Sequence, residues 1–153
     1  MATTYSVQKT KWSQNSPKDF IKPNEIHGRV RIAYALYEAS AVAVGTIEMF
    51  NLPNGARILS GELVHDALGG STTASVGHAA YVNSAGTVVA LDVDEYKAAA
   101  ASTGIVTVGI AATSALGRNS VVDANEDGIP ITVVTAGAAA TGTIELTMLY
   151  VVD

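Results

Sequence analysis

The stretch "DALGGSTTASVGH", Asp66 to His78, carries three glycines and four hydroxyl side chains. A run like this can cradle a phosphate or surround a nucleophilic serine. It can equally be a bend and the strand that follows it. A phosphate loop needs a lysine after its last glycine and a helix whose N-terminus faces the anion. Here Gly77 is followed by His78, in residues that read as strand. A nucleophile elbow needs Gly-x-Ser-x-Gly, and neither Ser71 nor Ser75 sits in one. No base and orienting acid stand at readable spacing from either serine, so the chain is expected to have no catalytic site. The stretch reads as a Gly69-Gly70 bend leading into the strand "TASVGHAAYV".

The same alternation extends to both sides. In "RVRIAYALYEA", Val30, Ile32, Tyr34 and Leu36 alternate with Arg31, Ala33, Ala35 and Tyr37, the period-two signature of a half-buried strand. "VAVGTIEMF", Val42 to Phe50, predicts a second strand. Pro53-Asn54-Gly55 is turn chemistry, since proline presets φ and Asn-Gly accepts positive φ. Beyond it, Leu59 and Leu63 share one face of a strand, with Gly61 between them permitting a bulge. "DVDEYKAAAAST" predicts one short helix: Asp92 caps it, Glu95 completes a capping box, Ala98 to Ala101 have high propensity, and Gly104 ends it. Strands resume over Gly104 to Ala112, Ile129 to Ala136 and Gly142 to Val152. In the last, Ile144, Leu146, Met148, Tyr150 and Val152 form one face; Thr143, Glu145 and Thr147 form the other, which turns apolar at Leu149 and Val151. Eight or nine short strands separated by turns predict an all-β fold, an antiparallel β-sandwich or jelly roll with one short helix and an extended N-terminal arm.

The chain of 153 residues fits one domain, large enough to bury roughly 70% of its unfolded surface. It has no cysteine, which excludes disulfides and thiolate metal sites. No apolar run approaches the roughly 18 residues of a membrane span, and "MATTYSVQKTKW" lacks the apolar core of a signal peptide. Residues 1–28 are polar, contain Pro17 and Pro23 and show no apolar period, so they read as an extended arm ahead of a domain at 29–153. Through Arg31 there are six basic residues against two acidic; after it, three basic against twelve acidic. The arm combines charge, in Lys9, Lys11, Lys18 and Lys22, with apolar anchors in Trp12, Phe20 and Ile21. Nucleic-acid binding calls for a denser basic cluster with interleaved aromatics, so that partner is disfavoured.

Residue spacing limits the ion and sugar sites the chain can form. His27, His65 and His78 form no His-x-His or His-x-x-x-His pair. In "DANEDG", Asp123, Asn125, Asp127 and Gly128 match the first half of a calcium loop, but the twelfth position is Val134 and offers no carboxylate. A polar hairpin loop is the favoured reading, with weak calcium binding as the minority one. Tyr5, Trp12, Tyr34, Tyr37, Tyr81, Tyr96 and Tyr150 are dispersed and read as core or cross-strand residues. Two function classes follow, an assembly protein or a carbohydrate-binding, host-adhesion module. A large subunit interface points to the first and aromatics clustered in one loop region to the second.

Three segments carry a resemblance: Leu52-Pro53-Asn54-Gly55-Ala56-Arg57-Ile58-Leu59 leading into a strand, Ser71 to Gly77, and the terminal strand from Ala136 to Val151. Together, over about Ala35 to Asp153, they resemble virion structural proteins of tailed bacteriophages, of the capsid decoration or cement type. The resemblance implies a jelly-roll or sandwich subunit with no enzymatic activity and no cofactor. It also implies a homo-oligomer, often a trimer, bound to the major capsid protein. Such a chain is made in the host cytoplasm and ends on the capsid surface of the virion. On that reading Lys9, Lys11, Trp12, Lys18, Phe20, Ile21, Lys22, Leu149 and Val151 are the expected capsid or subunit contacts.

Overall fold

The alternating residues form strands in the computed structural model, which describes residues 29–102, 106–109 and 121–152. The strands are β1 (Val30–Val42), β2 (Gly45–Leu52), β3 (Arg57–His65), β4 (Thr73–His78), β5 (Tyr81–Val82), β6 (Val88–Val89), β7 (Asp92–Ala101), β8 (Val106–Gly109), β9 (Ile129–Ala136) and β10 (Ala140–Val151). They make two four-stranded antiparallel sheets, ordered β1-β10-β3-β8 and β2-β9-β4-β7, and a small β5-β6 ribbon. The chain changes sheet at nearly every step, so consecutive strands face one another across the core instead of pairing. Residues 1–28, expected to form the arm, and with them the expected contacts Lys9, Lys11, Trp12, Lys18, Phe20, Ile21 and Lys22, lie outside the described residues.

The two sheets close on the side chains that alternation selects. From the first come Leu63, Ile144, Leu146 and Met148; from the second come Ile47, Val76, Ile131 and Val133, each buried. Burying a side chain of this size contributes about 1.5–3 kcal/mol, so the pattern itself is the main stabilising term. The strongly one-sided β10 also sets the register of β1. Ala33, Ala35 and Tyr37 lie opposite Met148, Leu146 and Ile144 and turn inward. The larger face of β1 therefore turns out: Val30, Ile32, Tyr34 and Leu36 are 54%, 64%, 55% and 54% exposed.

Three expectations are corrected. The predicted helix is strand β7, an outer strand paired with β4 through Thr73–Ala101, Ala74–Ala100, Val76–Lys97 and His78–Asp92. Between the last two pairs, four residues of β7 (93–96) stand opposite Gly77 alone, a large bulge. The capping chemistry read at Asp92 is real but local: Asp92 Oδ1 accepts from the Asp94 amide at 3.1 Å. That Asx hydrogen bond serves a turn as well as a helix start. Ladder pairing then outweighs the helix propensity of the alanines, which is worth only tenths of a kcal/mol per residue. Second, a bulge in β3 skips Leu59, so Ile58 joins Gly61 and Leu63 on the buried face instead. Third, Val42 ends β1; Ala41, at φ 51°, sits at the corner where the chain leaves for the other sheet.

Candidate functional site

Two surfaces emerge from this scaffold: the outward face of β1 and a pocket at the bulge of β7. On the first, Ile32 pairs with Leu149, Tyr34 with Thr147 and Leu36 with Glu145, so these residues share the outer face of their sheet. Tyr34 donates to Glu145 Oε2 at 3.3 Å, and Thr143 donates to Glu38 Oε2 at 2.8 Å. The result is an apolar row beside acidic groups on a 13-residue outer strand. Leu149 lies in this face and is half-buried. Val151 follows the same alternation but is only 3% exposed, so it has almost no surface to give a partner.

The stretch from Asp66 to His78 resolves into support. Gly69 and the Thr72 amide close the bend with a 3.2 Å hydrogen bond, and β4 follows. Ser75 donates its hydroxyl to Val93 O at 2.8 Å, pinning the bulge of β7 against β4. Gly77 allows the approach, because a Cβ there would lie 2.0 Å from Asp92 O. His65 and His78 are both buried, each with Nδ1 bonded to the carbonyl of the next residue, at 2.8 and 2.9 Å. For His78, Nε2 is the ring nitrogen left over.

The bulge carries Asp92, Glu95 and Tyr96 to one wall of a pocket of about 520 Å³; His78, Tyr81 and Asp123 complete its polar lining. Ile58, Val122 and Ile129 from the core form its apolar part. The His78 ring meets Tyr81 edge-on at 5.2 Å between centroids and lies tilted against Tyr96 at 6.4 Å. The two carboxyls diverge. The Asp94 amide holds Asp92 below the usual aspartate range, while burial, and then the neighbouring Asp92 charge, push Glu95 up. Burial also raises the phenols of Tyr81 and Tyr96. The sequence reading missed this constellation because its members lie in four separate elements. The one local signal is "DVDEY", three carboxylates beside a tyrosine, in a segment whose local pattern reads as a helix.

The calcium-loop residues are placed at the turn before β9. Asn125 Oδ1 accepts from the Asp127 amide at 3.1 Å, Asn125 Nδ2 donates to Asp127 Oδ2 at 3.0 Å, and Asp123 Oδ1 accepts from the Ser84 amide at 3.2 Å. Gly128, at φ 78°, completes the turn. One side-chain oxygen of each of Asp123, Asn125 and Asp127 thus accepts a hydrogen bond within the protein. Among the described residues, no group of three or more His, Asp or Glu side chains is placed to hold a metal.

No protein-family model and no curated protein matches the chain. Solved structures do. A chain in the capsid of Ralstonia phage GP4 superposes with a TM-score of 0.59 at 25% identity, over 82% of this chain and 86% of that one. A chain in the capsid asymmetric unit of cyanophage Pam1 gives 0.59 at 17% identity, over 92% and 99%. The second likeness is one of fold alone.

Proposed function

We propose that the chain is a non-enzymatic structural protein of a phage virion, one that decorates or cements the capsid surface through contacts with the major capsid protein and with copies of itself. The outward face of β1 is the observation that carries this reading. A long outer strand with an exposed apolar row is an invitation to association that monomeric β-proteins blunt with charge, proline or bulges. Here Val30, Ile32 and Leu36 stay uncovered within the single chain. Arg29 lies just before the strand, Arg31 at its start and Glu38 near its end, all exposed, so a second copy meets opposite charge when the strands run antiparallel. Strand order supports the same reading. The arrangement 1-10-3-8 over 2-9-4-7 is that of a jelly roll, an architecture found among viral capsid domains. The similarity to the Ralstonia phage GP4 capsid chain extends over most of both chains.

The test is to incubate the purified chain with empty capsids of its phage and image them by electron microscopy. Ordered extra density at fixed lattice positions, fitted by this fold, is the expected result. Capsids that stay bare at saturating protein overturn the proposal.

A further inference from the structure

We propose that the pocket between the bulge of β7 and the β5-β6 ribbon is a binding site for a neutral saccharide. The pocket is built by a specific distortion rather than left over by packing. Four residues of β7 bow away from the single residue Gly77, and Ser75 and Gly77 of β4 are matched to that bow. Bulges of this kind re-aim side chains and are over-represented next to binding sites. This one delivers Asp92, Glu95 and Tyr96 to a pocket whose volume, about 520 Å³, falls in the range of small-molecule sites. A buried histidine, His78, lines it with Nδ1 bonded to the Ala79 carbonyl and Nε2 without a hydrogen-bond partner among the described residues.

The lining selects the ligand class. It contains no lysine or arginine among the described residues, so a phosphate, nucleotide or other anion finds no countercharge. Lys97, the nearby cation of β7, spends its ammonium on the carbonyls of Ala74 and Ala98 at 2.9 and 3.1 Å. Sugar hydroxyls both donate and accept, and the wall supplies both kinds of partner. The carboxylates of Asp92, Glu95 and Asp123 accept; the hydroxyls of Tyr81 and Tyr96 donate and accept. The C–H faces of a sugar ring need apolar and aromatic surface, which Tyr81, Tyr96, Ile58 and Ile129 provide. A cation is the competing occupant, and its exclusion is part of the test.

The full-length protein is titrated, with amide NMR as the readout, against the methyl glycosides of glucose, galactose, mannose and N-acetylglucosamine, and separately against an uncharged-backbone lysine derivative. At least one glycoside is expected to move the Gly77, His78 and Glu95 amides saturably, with a dissociation constant on the order of 1 mM, typical of a small, solvent-accessible site. Glu95→Gln and Tyr81→Phe, which keep shape, weaken that binding about 10-fold without changing the remaining spectrum. Three results overturn the proposal: no saturable shift with any glycoside, equal affinity in the variants, or saturation by the lysine derivative instead of the sugars.

Discussion

At Gly77 a single hydrogen atom decides how two strands meet. A Cβ at this position would approach Asp92 O to 2.0 Å, Val93 C to 2.5 Å and Asp94 N to 2.8 Å, all backbone atoms that no side-chain rotation can move aside. Gly77→Ala must therefore push β7 off β4, and overpacking of this severity costs about 3 kcal/mol. Urea unfolding is expected to show that loss; a change within 0.5 kcal/mol, about the scatter of neutral surface substitutions, contradicts the geometry. Glu95 offers a titration test. Its pKa is raised by burial and by Asp92, so ionisation is disfavoured in the folded state. The sign follows: its contribution to stability is fully present below the unfolded glutamate value of 4.5 and is lost as pH rises through the higher folded value. Glu95→Gln keeps the shape and removes the charge. Its melting temperature is expected to exceed that of the parent at neutral pH and to converge with it below pH ~4.5. Parallel curves across that range contradict the assigned environment.

At the scale of elements, β1 shows the clearest separation of stability from association. Apart from Tyr37 its inward residues are small alanines, whereas Val30, Ile32, Tyr34 and Leu36 face outward, the reverse of an ordinary half-buried strand. Ile32→Thr with Leu36→Thr keeps β-propensity while removing apolar surface from the outer face. The double variant is expected to retain its melting temperature but to sediment as a smaller species than the parent. Unchanged association, or a collapse in stability, counts against β1 as the contact. The same strand explains what was legible beforehand. Period two identified β1, β9 and β10, and β9 matches its expected span of Ile129 to Ala136. Alternation cannot say which face of β1 is buried; that came from its register with β10, a partner more than 100 residues away. Likewise "DVDEYKAAAA" has good local credentials for a helix. The ladder with β4 and the Ser75–Val93 bond are non-local, so no window of sequence around Asp92 contains them. The pocket was illegible for the same reason, since His78, Tyr81, Glu95 and Asp123 meet only after the sheets close.

On the scale of the whole molecule, charge is divided unevenly between residues 1–28 and the rest of the chain. Residues 1–28 hold four lysines against two acids, with Trp12, Phe20 and Ile21 among them, whereas twelve of the fourteen acidic residues lie in the body. A segment of this composition cannot bury enough surface to fold alone, and ordering it costs about 1–2 kcal/mol per residue in backbone entropy. On the proposed function, the surface that repays that cost is the capsid lattice or the acidic body of a neighbouring copy. The two contributions separate with salt. Charge-led docking weakens as the Debye length falls from about 10 Å at 0.1 M to about 3 Å at 1 M, while anchoring by Trp12 and Phe20 persists. Removal of residues 1–28 leaves every strand of both sheets in place, so the truncated chain is expected to fold with the parent's melting temperature. It is expected to lose capsid binding in the same imaging assay. The full-length chain in 1 M salt should bind with reduced but measurable occupancy. A truncated chain that decorates capsids to full occupancy would remove the arm from the attachment and leave β1 and Leu149 to carry it.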